Sequence, residues 1–153
     1  MFLATHATVG AIVGRAAPDP ISAFFLAFAS HFLLDIIPHG DADLYKDYKR
    51  GNKVRLALSY TMIDAIVTAY VVVAIAQARL FDSGLNVAAG VVGGLLPDLL
   101  VGIFEVTKTR WLVKFHAVHF FFHNMFVNKY RDVSFMTGVA YQLVILIFLQ
   151  TRI

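Results

Sequence analysis

The sequence predicts an all-α protein: an integral membrane bundle of about six helices, with an intramembrane His/Asp cluster near the cytoplasmic side. Composition is the first reason. Hydrophobic residues make up 59% of the 153 residues, against roughly 45–50% in soluble domains, and charged residues only 15%, against roughly 25%. A mean hydropathy of +0.71 is the second. The third is segmentation: the apolar residues fall into six runs, about 2–16, 20–39, 54–80, 85–107, 111–129 and 133–150. No repeat, low-complexity tract or soluble segment interrupts them, so 1–153 reads as a single membrane-embedded domain.

The first run, "MFLATHATVGAIVGRAAP", lacks a basic n-region, and its first positive charge, Arg15, follows the apolar stretch. It therefore reads as a retained helix, short for a full crossing. "RAAPDP" closes it and starts the second run, which carries His31, Asp35 and His39 at four-residue spacing. At 100° per residue these three lie within about 80° of one helix face. The loop "GDADLYKDYKRGNK" follows, then a third run containing Asp64 and a break at "RLFDSG". In the fourth run Gly90 and Gly94 have the small-xxx-small spacing that permits close helix approach. Pro97 is expected to kink that helix beside Asp98. The fifth run holds His116, His119 and His123 within about 60°. Its Phe120–Phe122 cluster reads as packing.

If all six runs cross, the loops alternate between two sides. Nine of the thirteen basic residues then share one side: Lys46, Lys49, Arg50, Lys53, Arg55, Lys108, Arg110, Lys114 and Arg152. Arg15, Arg79, Lys129 and Arg131 face the other. The positive-inside rule makes the first side cytoplasmic and gives a multi-pass protein of the inner (plasma) membrane with both termini inside. The basic run 46–55 is expected to lie against anionic headgroups.

Ionisable groups within hydrocarbon are functional candidates, because inserting each costs roughly 2.5–3.5 kcal/mol. All six histidines, with Asp35, Asp64 and Asp98, lie inside apolar runs. Reckoning depth from the turns puts His6 within about one helical turn of His31, and Asp98 level with His119 and His123. With no cysteine, any metal must be held by His and carboxylate. His6, His31, Asp35, His39, Asp64, Asp98, His116, His119 and His123 are more ligands than one ion needs, so the inventory predicts two Zn²⁺ per chain, with a third conceivable. Two-metal centres activate water and clamp phosphoryl groups. Asp64 can instead bond a backbone group, and Asp35 can bridge two ions or orient a histidine.

The segments "THATVGA", "SHFLLDIIPHGD", "GGLLPDLL" and "FHAVHFFFH" together resemble bacterial and archaeal inner-membrane metal-dependent hydrolases. These are small multi-span proteins distantly related to the zinc-dependent phospholipase C and P1 nuclease superfamily. On that resemblance His6 is the N-terminal helix histidine, His31 with Asp35 the HxxxD pair, and Asp98 the acid of an LPD motif. The family's second acid there is Leu100 here, and its HRG-x-T-H element corresponds at best to the differently spaced His116, His119 and His123. The expected activity is hydrolysis, by metal-activated water, of a phosphoester in a lipid or lipid-linked substrate, with Asp35, His39 and His123 as catalytic candidates. His39 or His123, if unligated, would protonate the leaving group. The expected partners are that substrate and the membrane; nothing points to nucleic acid. The alternative is a metal-ion or proton transporter using the same cluster, which would need polar groups continuing to the far side, where the last helix offers Tyr141 and Gln142.

Overall fold

The computed structural model describes residues 1–77 and 84–152; the expected break at residues 79–84 and the side assignment of Arg79 fall largely outside them. The described residues form helices α1 (Leu3–Ala16), α2 (Pro20–Asp35), α3 (Ala42–Lys49), α4 (Val54–Gln77), α5 (Gly84–Thr107), α6 (Val113–His123), α7 (Val127–Tyr130) and α8 (Phe135–Gln150), with a 3₁₀ turn at Arg110–Leu112. Two of these, α4 and α5, are long and apolar enough to cross a membrane by length and composition; α2 and α8 are shorter apolar helices.

The short first helix is the central one. α1 packs against α2, α4, α5 and α8, and its Ala4, Ala7 and Ala11 share a core with Val71, Ile75, Val87, Val91 and Leu146. Small residues explain the position, because they let neighbouring backbones approach where larger side chains would hold them off. At the α1–α5 crossing, a Cβ added to Gly90 would lie 2.1 Å from the Gly10 carbonyl oxygen. Gly94, one turn on, would put a Cβ 2.6 Å from the His6 carbonyl oxygen, a close approach that the small-xxx-small spacing anticipated. α5 runs unbroken through Pro97.

Helix starts follow from local chemistry. Asp19 Oδ1 accepts the N–H groups of Ile21 and Ser22 at 2.9 Å, Ser22 Oγ donates to Oδ2 at 2.6 Å, and Pro20 fills the first turn. Those Ser22 bonds hold the Asp19 carboxyl below its ordinary value. α3, placed in a loop by the sequence reading, is capped from afar: Asp132 accepts from the Gly40 and Ala42 N–H groups at 2.9 and 3.0 Å.

Two runs end earlier than expected. α2 stops at Asp35, so His39 is not on the face of His31 and Asp35. Pro38 disfavours helix at the preceding residue, and Gly40 takes a left-handed φ of +87° that turns the chain. The run 111–129 breaks at Asn124 into α6 and the single turn α7.

That second break changes the topology. α6 sets out beside Glu105, passes Asp98 at His119 and brings His123 to Asp41. At 11 residues α6 is too short for a crossing, and beyond it Asp132 meets Gly40. Residues 129–134 therefore lie with the 40–53 segment, not opposite it, and α8 runs alongside α1: Gln142 meets Phe2, and Gln150 meets Thr8 at 2.8 Å. The end of α8 is thus carried away from Met1 along the length of α1. Lys129 and Arg131, beside Asp132 in the chain, thus lie near the 40–53 segment and Arg152 lies away from it.

Candidate metal centre

The first group of donors comes from three helices. His31 and Asp35 stand one turn apart on α2, with His31 Nε2 3.2 Å from Asp35 Oδ2. His119 of α6 places Nε2 3.3 Å from that oxygen and 3.2 Å from His31 Nε2. Asp98 of α5 completes the set, its Oδ1 lying 3.2 Å from His119 Nε2 and 3.6 Å from His31 Nε2. These four donor atoms lie within 4.8 Å of one another. A tetrahedral shell with bonds of about 2.0–2.1 Å holds its ligands roughly 3.3 Å apart, so the spacing fits a divalent ion such as Zn²⁺.

The second group is His39, Asp41 and His123. Asp41 Oδ1 lies 3.2 Å from His39 Nε2 and 3.3 Å from His123 Nε2. The Met1 amino nitrogen sits between the groups, 2.7 Å from Asp35 Oδ1 and 2.8 Å from His39 Nε2.

Hydrogen bonding decides which nitrogens face inward. His31 Nδ1 donates to the Gly94 carbonyl and His39 Nδ1 to the Ile37 carbonyl, each at 2.8 Å. Both rings thereby keep Nε2 as the acceptor, the tautomer that a metal takes, His31 Nε2 facing Asp35 and His39 Nε2 lying between Asp41 and the Met1 amino nitrogen. Opposite those lone pairs stand Asp35 Oδ2 and Asp41 Oδ1, which are buried and accept no hydrogen bond. A buried carboxylate oxygen without a donor carries a desolvation cost of about 1–3 kcal/mol or more, and lone pairs facing it worsen the clash. A cation between them resolves both, so the residues present fit a metal in each group.

His6 stands behind the first group. Its ring stacks on His31 at 3.9 Å between centroids, and its Nε2 lies 3.1 Å from Asp35 Oδ1, so it orients the carboxylate whose other oxygen faces the group. Asp64 is elsewhere: its Oδ2 accepts the Leu3 N–H at 2.8 Å and satisfies the start of α1. His116 also turns away, to Glu105 Oε1 at 3.1 Å and the Tyr45 hydroxyl at 3.2 Å. The sequence reading missed Asp41, which it left among loop acids, although the spacing His39-x-Asp41 was visible. Tyr141 and Gln142 serve the turn around His39: Tyr141 donates to the Pro38 carbonyl, and Gln142 donates to the His39 carbonyl while accepting from Phe2. Phe120 stacks on Tyr45 and Phe122 packs at a tilt against Phe32. Asp64→Asn is expected to leave bound metal unchanged, because Asn still accepts from Leu3, whereas Asp98→Asn should lower it. Elemental analysis of the two purified variants would check this.

A cavity of about 780 Å³ reaches both groups, touching Asp98, His119, Asp41 and His123. Asp98, 24% exposed, is the first-group donor most open to it. No family model, curated protein or solved structure matches this chain.

Proposed function

We propose that this chain is a membrane-embedded, metal-dependent phosphoesterase acting on a lipid or lipid-linked substrate, and that its resemblance to the inner-membrane hydrolases reflects kinship. The observation that carries the reading is the pair of buried His/Asp groups, each with an unpartnered carboxylate oxygen, side by side at the inner end of one cavity. The outer surface supports the membrane setting. Leu56, Met62, Ile63, Ile66 and Tyr70 of α4, and Met136, Leu143, Val144 and Ile147 of α8, are exposed, an apolar display that water would penalise and lipid would not. Ten of the thirteen basic residues gather at the end holding the 40–53 segment, which supports reading that end as the cytoplasmic one.

Bound in these groups, divalent ions would supply Lewis acidity, lowering the pKa of a water and neutralising phosphoryl oxygens. The chain's own residues prepare for this. His31, Asp35, Asp98 and His119 would hold one ion and His39, Asp41 and His123 a second. Gly94 and Ile37 fix two imidazoles in the ligating tautomer, and His6 fixes Asp35. Asp98 holds the cavity side, where a phosphate arriving through the cavity first meets the centre. His39 and His123 are both engaged with Asp41, so protonation of the leaving group passes to water in the cavity. Tyr141 and Gln142 are committed to the His39 turn and offer a transported ion no continuing path.

The test is hydrolysis by detergent-purified protein of a panel of phosphoesters, long-chain and soluble. Chelation should abolish turnover and Zn²⁺ should restore it. Asp98→Asn should cost more than the about 10–100-fold typical of residues behind a metal ligand. Turnover that survives exhaustive chelation, or that Asp98→Asn leaves intact, would refute the reading.

A further inference from the structure

The cavity's walls differ from its floor. Asp98, His119, Asp41 and His123 form a polar end, and apart from Asp64, which is bonded to Leu3, and Glu105 the rest of the lining is mostly apolar: Leu58 and Ala65 from α4, Leu99, Ile103 and Val106 from α5. α4 rests on α1 and α3, and the cavity separates it from α5 over this stretch. Both walls reach the surface, with Leu58 56%, Leu99 53% and Val106 87% exposed. Gly102, in the middle of the α5 wall, has open space where a Cβ would stand.

The end nearest the 40–53 segment is clasped. Glu105 of α5 accepts from the Tyr45 hydroxyl at 2.7 Å and Lys49 Nζ at 3.0 Å, both on α3, and lies 3.1 Å from His116 of α6. The Tyr45 ring stacks on Phe120 at 4.5 Å, joining α3 to α6 above the metal groups. A ligand reaching the His/Asp groups is therefore offered the flank between α4 and α5, which the apolar surface of both helices exposes to hydrocarbon.

We propose that the α4–α5 cleft seats the alkyl chain of a lipid phosphoester, which moves in sideways from the bilayer with its phosphate toward Asp98 and His119. This rests on the membrane phosphoesterase reading for the chemistry at the phosphate. A soluble phosphoester has no apolar part to match these walls, whereas an alkyl chain coming from the bilayer stays in apolar surroundings as it passes between them. The volume lies within the roughly 300–1,000 Å³ of small-molecule pockets.

The experiment uses full-length protein in phosphatidylcholine vesicles with hexadecyl phosphate carrying a diazirine in mid-chain. After photolysis, labelled peptides are mapped in wild type, Gly102→Phe, Ala65→Phe and the outward-facing Ile147→Phe. Labelling should concentrate in residues 58–65 and 99–106, fall about fivefold or more in either cleft variant, and persist in Ile147→Phe. Gly102 faces open space and the exposed Ala65 lines the opposite wall, and an unchanged melting temperature confirms that each variant folds. Labelling spread evenly over the outward faces of α2, α4, α5 and α8, or unaltered by both cleft substitutions, would overturn the proposal. Turnover plays no part in the readout: a protein that hydrolyses nothing yet labels in the cleft loses the phosphoesterase reading and keeps the lipid site.

Discussion

His119→Ala and His123→Ala should each remove about one of the two divalent ions expected per chain, and the double substitution should remove both. The two residues are on one helix, with ring centroids 6.0 Å apart, yet they face different groups. His119 directs Nε2 at Asp35 and Asp98, His123 at Asp41. Loss of His119 leaves three donors in the first group, and loss of His123 leaves two in the second. The second ion should therefore leave more completely, and in wild type it should be the first taken by a weak chelator. Elemental analysis after dialysis against graded chelator reads both effects. A wild type that stays metal-free after reconstitution, or variants that each lose both ions together, would contradict two separate groups.

Gly90→Leu should disassemble the bundle and the centre with it. The added Cβ would lie 2.1 Å from the Gly10 carbonyl oxygen and 3.0 Å from the Gly14 backbone, and a helix backbone does not yield as a flexible side chain does. Overpacking a core costs about 1–3 kcal/mol even where side chains can shift, so this substitution should exceed that range. Separation of α1 from α5 also withdraws His6 from Asp35 and disturbs Gly94, whose carbonyl fixes the His31 tautomer. The expected result is little or no folded protein by thermal melting in detergent, together with loss of bound metal. Gly102→Leu is the matched control: its Cβ meets open space, so the bundle should persist.

Much of the centre was legible beforehand because it is written in helical spacing. His31 and Asp35 are one turn apart, His119 and His123 likewise, and a four-residue interval puts such pairs on one face whatever the rest of the chain does. Counting residues from the turns placed His6 beside His31 and Asp98 beside His119, since rise per residue is constant along a helix. The Gly90/Gly94 spacing announced a close helix contact for the same reason.

What escaped the sequence were positions governed by where helices stop and what they meet. His39 continues the four-residue rhythm, yet Pro38 and Gly40 take it off α2, and it rejoins the site only through the turn that also delivers Asp41. Asp64 and His116 occupy apolar runs as convincingly as the others. Only the packing of α4 on α1 commits Asp64 to the Leu3 amide, and only the clasp between α3, α5 and α6 commits His116 to Glu105. Residues 111–129 are apolar enough for a crossing, but α6 ends at His123 and turns back, a choice made by the Asp132 bonds to Gly40 and Ala42 and by the pairing of His123 with Asp41. Composition and periodicity by themselves determined an all-helical, strongly apolar chain with its His and Asp residues gathered toward one end, because those are properties of single helices. The tertiary structure alone decided which donors converge, how many runs traverse the bundle and where the cavity opens, because each depends on contacts between residues far apart in the chain.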